Sequence, residues 1–517
     1  MTQQSKKRYL FNEAPFWEWQ RSYYEEKGKN AWTNDQVPQY SSSNPMMATA
    51  YAEMIFGFLQ DRAKSEWPKE RVVIAELGAG HGRLAFHLLD RLCELIDYAG
   101  LELPPFQYIL TDLAEANIDA WREHHALKRF VDSGLLDFAK FDAMQDAELH
   151  LLVSKETISP GSLKQPVVIV ANYFFDAIPQ QLIYIKEGRV LECEVMLELE
   201  EGEGTSDESG ALKHVPLSYS YREAPHYEDD SSPYREVISL YREELEDSHV
   251  LFPAAGLACI ERLHALSEAG FVLLTADKGD HLLESWKYAE PPQLVVHGSF
   301  SLTANYHALL HVWEQRGALP LLTAHHYQNI NVGCLIMVDN PPHCTQLRLA
   351  YRRFVERFGP DDFYSLKEWA DRSIHSMKLK QLLAFWRLGG YDAEFFVQSA
   401  KRLSSLILKA NDEELDDIVQ GIRLMWKSYY KLEQRYDLAL DAGLLLFEME
   451  RYEDAKIFLE KSVETDEEEP LPTVWCCLAV CCCEMGMIEQ AKQYLQAALA
   501  QEPDHLEAQA LLESLSQ

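Results

Sequence analysis

Apolar positions change their period several times along the chain, and each change predicts an element. Between residues 8 and 66 they recur at helical spacing: Phe16, Trp17, Trp19 and Tyr23, then Met47, Tyr51, Met54, Ile55 and Phe58 within Met46 to Leu59. Such stripes predict amphipathic helices. From Arg71 the pattern differs. Val72-Val73-Ile74-Ala75 is a short unbroken apolar run that ends in Glu76, meets Gly78, Gly80 and Gly82, and resumes helical spacing at Leu84, His87, Leu88, Arg91 and Leu92. That is a buried parallel strand turning tightly into a helix. Phe106 to Asp112 repeats the apolar-then-acidic run, and strands alternate with helices to about residue 340. Near its end Ala318 to Thr323 and Asn329 to Val338 read as paired strands, and beyond about residue 360 only helical spacing remains. The order predicts an α/β sheet framed by N-terminal helices and a C-terminal all-α domain.

Glycines at alternate positions of a strand-to-helix turn serve where backbone must bend sharply and approach a ligand. This pattern cradles a nucleotide-like cofactor, although such turns also form for packing alone. Asp112 ends the second strand some thirty residues after the glycines, where a carboxylate can accept both ribose hydroxyls of an adenosine. Dinucleotide fingerprints place the acid nearer, about 20 residues on, and follow G-x-G-x-x-G. Here the pattern is G-x-G-x-G with a longer first helix, which favours S-adenosylmethionine.

Four segments, in order, resemble the complex I assembly-factor methyltransferases and their bacterial relatives. They are Glu76-Leu77-Gly78-Ala79-Gly80-His81-Gly82-Arg83-Leu84, Ala171-Asn172-Tyr173-Phe174-Phe175-Asp176-Ala177-Ile178-Pro179, Leu274-Thr275-Ala276-Asp277-Lys278-Gly279-Asp280 and Gly298-Ser299-Phe300-Ser301-Leu302-Thr303-Ala304-Asn305-Tyr306. The glycine block is common to class I methyltransferases; the Asn-aromatic-Phe-Phe-Asp block is far more specific. The resemblance implies a class I methyltransferase (Rossmann-like) sheet with S-adenosyl-L-methionine as cofactor. Glu76, Gly78, Gly80 and Gly82 would hold its methionine and ribose parts, Asp112 the ribose hydroxyls, and Asp142, after a third short strand, the adenine amino group. Asn172, both cofactor-binding and catalytic, closes the fourth strand at the methyl-transfer pocket, with Asp176 and Asp277 as catalytic carboxylates beside it. Tyr173, Phe174, Phe175 and Asn305 would meet the substrate, with ordinary core as the other reading of one phenylalanine. Lys278 and Asp280 follow the fifth strand, where a solvated loop is the alternative.

The chain also departs from the family pattern. Family members usually carry Glu where Tyr173 stands and commonly His or Asp at Asn305. A family segment Gly-Asp-Phe-x-Thr-x-Pro-Glu appears as Gln39-Tyr40-Ser41-Ser42-Ser43-Asn44-Pro45-Met46-Met47. Cofactor use therefore transfers more directly than substrate identity.

Length and composition set the organisation. A chain of 517 residues exceeds one compact core. The reading is an N-terminal helical cap at 1–66, a methyltransferase core at 67–345 and a helical domain at 360–517. An acidic stretch at about 197–232, including Glu200-Glu201-Gly202-Glu203-Gly204, has the composition of a mobile loop. Within the helical domain, segments at about 436–469 and 472–505 align with a 34-residue helical hairpin, the tetratricopeptide repeat. Trp475, Leu478, Ala479, Gly486, Ala491, Leu495, Ala498 and Pro503 mark the second copy; Ala442, Gly443, Leu446, Ala455 and Leu459 the first, which ends in Glu467-Glu468-Glu469. Helical segments at 393–409, 413–432 and 504–515 would supply further layers.

A formal charge of −34 disfavours nucleic acid and anionic membrane as partners. The N-terminus lacks a secretory signal and there is no apolar run of membrane-spanning length, so the cytoplasm is the expected location. Cys476, Cys477, Cys481, Cys482 and Cys483 read as small packing residues rather than metal ligands. Together these readings predict a methyltransferase acting on a protein side-chain nitrogen, with the repeats recruiting the partner. The rivals are a non-catalytic cofactor-binding scaffold, and a small-molecule methyltransferase whose helices pair two copies.

Overall fold

In a computed structural model, residues 7–32, 40–64, 70–197, 217–227, 229, 232–297, 299–327, 329–432, 436–464 and 470–515 are described. The chain divides into two compact units, at Ser365 and Leu366. In the first, seven strands form the central sheet: β1 (Val72–Leu77), β2 (Phe106–Asp112), β3 (Leu136–Lys140), β4 (Val167–Asn172), β5 (Phe271–Asp277), β6 (Leu319–Leu321) and β7 (Asn331–Met337). Their order is β6-β7-β5-β4-β1-β2-β3. Strands β1 to β5 run parallel, while β7 is antiparallel to β5 and β6 to β7. This is the class I methyltransferase sheet, and the strand order reverses between β1 and β4.

The inner strands are apolar at nearly every position because helices cover both faces of a parallel sheet. Every residue of β1 and β5 is buried, acids included. Each large aliphatic side chain so buried contributes roughly 1.5–3 kcal/mol over its exposed state. Ligands bind such sheets at the carboxyl ends, where the order reverses.

Two N-terminal helices reach that edge, Pro15–Lys27 and Pro45–Ala63. Asn44 caps the second, its side chain accepting the Met47 N–H at 2.9 Å, with Pro45 in the first turn. Gly57 lets this helix touch the backbone of helix Thr345–Tyr351: a Cβ there would lie 2.8 Å from the Gln346 carbonyl. Asp61 locks the contact by accepting the N–H groups of Gln346 and Leu347 at 2.7 and 3.0 Å.

A second, antiparallel sheet corrects two expectations. Lys7–Leu10, within the segment read as helical, is a strand paired with Glu194–Leu197. Gln181–Lys186 and Arg189–Leu197 form a hairpin whose two-residue turn, Glu187-Gly188, is left-handed at both positions (φ 51° and 69°). Ser248–Phe252 flanks the hairpin. The stretch read as a mobile acidic loop contributes the strand Leu217–Glu223, paired with Leu191–Leu197, and a turn that buries Tyr227; Glu200 to Gly204 lie outside the described residues.

The second unit is helical. Ala393–Ile407 and Asp412–Lys427 precede the hairpins Leu438–Glu448 with Tyr452–Val463 and Pro472–Glu484 with Ile488–Gln501, followed by Leu506–Ser514. Small residues permit the close approaches: a Cβ on Gly443 would meet Leu459 at 2.8 Å. Ala479, Ala491 and Ala498 are fully buried, and Trp475 stacks on Tyr494 at 5.8 Å. Cys481 and Cys482 are buried among these helices, as free thiols. Glu467 to Glu469 lie outside the described residues.

Gly57→Val should strain the helix contact, where backbone cannot yield as a side chain can. Its unfolding free energy in urea should fall by about 1–3 kcal/mol, followed by circular dichroism.

Candidate active site

The glycine turn sits at the carboxyl end of β1. Gly78, Gly80 and Gly82 all adopt left-handed backbone (φ 59°, 57° and 79°), which a side chain makes costly. Two neighbours hold the middle of the loop. The Gly80 N–H donates to Asp112 Oδ2 at 2.9 Å, and the Trp121 indole donates to the Gly80 carbonyl at 2.8 Å. Asp112 Oδ1 accepts the Ala114 N–H at 2.9 Å. The Asn117 side chain and the Leu113 backbone also hydrogen-bond the carboxylate. Burial raises the Asp112 pKa, and the Ala114 and Gly80 amides oppose that shift.

Glu76 lies deeper, and Tyr108 donates to it at 2.7 Å. Burial pushes its pKa up to about 8, against the hydrogen bond from Tyr108. It supports the loop from within: Thr111 Oγ1 donates to its main-chain carbonyl at 2.7 Å. Arg83, the first residue of helix Arg83–Ala99, donates to Ser43 Oγ from Nε and Nη2 at 3.2 and 2.7 Å.

Helix Pro15–Lys27 brings residues that sequence patterning missed. Arg21 pairs with Asp142 at 2.8 Å, and Asp142 also accepts the Met144 N–H at 2.9 Å. Gln20 donates to the Phe300 carbonyl, and the Tyr24 hydroxyl meets Ser299 at 2.7 Å. Burial pushes the Tyr24 phenol up, and the charges of Asp176 and Asp112 both act on it. Its helical stripe showed only that this segment would pack.

At the end of β4 the chain turns on Tyr173, a non-glycine residue in left-handed backbone (φ 47°). Strain of this kind persists where surrounding contacts over-determine it, and it collects at functional sites. Here the Tyr173 N–H donates to the Ala276 carbonyl at 2.9 Å and its hydroxyl meets Ser41 Oγ at 2.7 Å. Tyr51 donates to Asn172 Oδ1 at 2.6 Å. Phe174 lies against the glycine loop, 3.6 Å from where a Gly78 Cβ would stand.

Asp176 and Asp277 are buried together, carboxyl against carboxyl. Burial first, and for Asp277 the Asp176 charge next, raises both pKa values. Asp277 Oδ2 accepts the Phe175 N–H at 3.1 Å and the Tyr306 hydroxyl at 3.3 Å. Asp176 Oδ2 and Asp277 Oδ1 have no donor among the described residues. Burial, then the charge of this pair, also raises the phenols of Tyr51 and Tyr306.

Two expected substrate contacts are structural. Phe175 is 1 % exposed, packs edge-on to Tyr306, and fills the space a Cβ on Gly256 would take. Asn305 caps helix Tyr306–Gln315: its Oδ1 accepts the Ala308 N–H at 2.8 Å and its Nδ2 donates to the Leu251 carbonyl at 2.9 Å. Lys278 is exposed and Asp280 partly so, beside the short pairing of Gly279–Asp280 with Ala304–Asn305.

The sheet order, glycine cradle and acid-ended strands define a class I methyltransferase. Residues 57–281 match the family described as "Putative S-adenosyl-L-methionine-dependent methyltransferase", and residues 446–515 match the tetratricopeptide repeat. The chain is an S-adenosyl-L-methionine-dependent methyltransferase with a segment of that family and C-terminal repeats. Among solved structures, a Burkholderia thailandensis protein bound to S-adenosyl-homocysteine is similar at 14% identity over 64% of this chain and 90% of that one, with a TM-score of 0.41. A native structure from the same organism gives 14%, 64%, 89% and 0.39. A tetratricopeptide protein of Thermus thermophilus matches at 17% identity over 34% of this chain and 89% of that one, TM-score 0.21. No curated protein matches the chain. Among the described residues no helix is long and apolar enough to cross a membrane.

Gly80→Val, strained in left-handed backbone, should lower S-adenosylhomocysteine affinity by more than about tenfold by titration calorimetry, and Asp112→Ala likewise, since charged hydrogen bonds are each worth about 1.5–3 kcal/mol. A pH prediction follows from Glu76, whose pKa is raised on folding from 4.5 to about 8. Its contribution to stability is complete at low pH and is lost as pH rises through that window. Glu76→Gln should flatten the fall in unfolding free energy between about pH 5 and 8.

Proposed function

We propose that this chain methylates an amine nitrogen of a protein partner recruited by its C-terminal helical repeats. The observation that carries the reading is the union, in one chain, of a methyltransferase segment with a protein-binding type of repeat. The cofactor supplies a methyl group already activated by its sulfonium, so the protein has mainly to align the acceptor with it. Gly78, Gly80 and Gly82 form the cradle, with Glu76 bracing it from beneath. Asp112 holds the ribose, and Asp142 the adenine amino group beside Arg21. Asn172 binds the cofactor and orients the acceptor nitrogen. Charge on Asp176 or Asp277 acts on Tyr24, Tyr51, Tyr173 and Tyr306 and favours a cationic nitrogen near them.

The amine is favoured over a guanidinium by what the carboxylates are already doing. A bidentate guanidinium needs two open oxygens in one fork. Asp277 Oδ2 is committed to Phe175 and Tyr306, and burial of the two carboxyls against each other raises both pKa values. Tyr173 offers a neutral hydroxyl and an aromatic face, which suit an ammonium through cation–π attraction.

Incubating the full chain with labelled cofactor and candidate partners, then hydrolysing to amino acids, should give methyllysine or an N-methylated terminus. Methylarginine refutes the acceptor assignment. A chain ending at Ser365 keeps Asp361, which accepts the N–H groups of Asn329 and Ile330 at 2.7 and 3.0 Å. It should bind S-adenosylhomocysteine as the full chain does and methylate the partner with a raised KM, because docking adds binding without touching chemistry.

A further inference from the structure

Helix Pro45–Ala63 delivers one polar group to the end of β4, the Tyr51 hydroxyl. Tyr51 is fully buried, on the face that also carries Met47, Met54, Ile55 and Phe58. The helix cannot slide or rotate to withdraw it. Asn44 fixes the first turn, and Gly57 rests on the Gln346 backbone with no room for even a methyl group. The phenol therefore arrives at Asn172 in one position, 2.6 Å from Oδ1.

Tyr51 donates its proton to Oδ1, and burial, then the charges of Asp277 and Glu76, oppose loss of that proton. With Oδ1 held there, Nδ2 is turned the other way. The next residue, Tyr173, is locked in its left-handed turn by Ala276 and Ser41. The Asn172 side chain thus takes a contact from the longer N-terminal helix, through Tyr51, and the residue after it takes one from the short helix Tyr40–Ser43, through Ser41.

We infer that Tyr51 is a positioning residue of the methyltransferase site, holding the Asn172 amide where it serves the cofactor by a hydrogen bond from outside the sheet. The inference rests on the reading of Asn172 as a cofactor-binding residue. The donor is supplied from outside the sheet, so correct presentation of Asn172 requires the N-terminal helix in register. A buried tyrosine could equally matter through packing alone, and the two roles differ in their coupling. A packing role weakens binding independently of Asn172, whereas a positioning role has nothing left to act on once the amide is gone.

The test is a double-mutant cycle on the full chain, with S-adenosylhomocysteine affinity measured by titration calorimetry and folding checked by circular dichroism. Asn172→Ala should weaken binding by about tenfold and Tyr51→Phe by about three- to tenfold, the scale of one hydrogen bond. The double variant should be no weaker than Asn172→Ala within about twofold. Additive losses, or wild-type affinity in Tyr51→Phe while Asn172→Ala is impaired, overturn the positioning role and leave the site reading standing. Wild-type affinity in Asn172→Ala overturns the site reading, and this inference with it. Should Tyr51→Phe fail to fold, Tyr51→Leu, which equally lacks the donor, replaces it in the cycle with the same expected and overturning results.

Discussion

The Asp112 carboxylate, reaching from the end of β2 to the Gly80 N–H, is the contact on which the cofactor edge depends. Three glycines in left-handed backbone would otherwise be free to take many courses, since glycine loses the most conformational freedom on folding. Asp112 from one side and the Trp121 indole from the other hold Gly80 by its N–H and its carbonyl. The carboxylate is buried at a desolvation cost, and the backbone amides that it accepts offset that cost.

Around that fixed loop the site is assembled from two sources. The sheet supplies the glycines, Asp112, Asn172 and the carboxyl pair. The N-terminal helices supply Arg21 to Asp142, Ser43 to Arg83, Ser41 to Tyr173 and Tyr51 to Asn172. Three of these contacts land on a strand end or the loop after it, and the one to Arg83 on the first turn of the following helix. Tyr173 can keep its strained backbone because contacts from β5 and from Ser41 meet there.

The central sheet was legible because its strands are unbroken apolar runs closed by acids or glycines, and burial on both faces leaves no alternation to misread. The repeats were legible through small residues at fixed spacing, as at Gly443 and Ala491. The second sheet was hidden by its mixed faces: Leu217–Glu223 is largely exposed and sits in acidic sequence. One local sign existed, the Glu187-Gly188 pair between two alternating runs, which suits a two-residue hairpin turn. Asn305 caps a helix, a role that sequence alone does not separate from ligand binding because both ask for the same side chain. Arg21, Tyr24 and Tyr51 had no signal beyond amphipathic spacing, since a helical stripe does not say which polar atom will meet which strand.

The strand Lys7–Leu10 borders the flank of Arg189–Leu197 that the hairpin partner leaves unpaired beyond Glu192. With it in place, the N–H and carbonyl groups from Glu194 to Leu197 are matched on both sides, by Lys7–Leu10 and by Leu217–Ser220. Peeling those four residues away would turn an interior strand into an open edge, a template for any extended segment that passes. The first residues of the described chain thus act as a guard against self-association, quite apart from the chemistry some distance away.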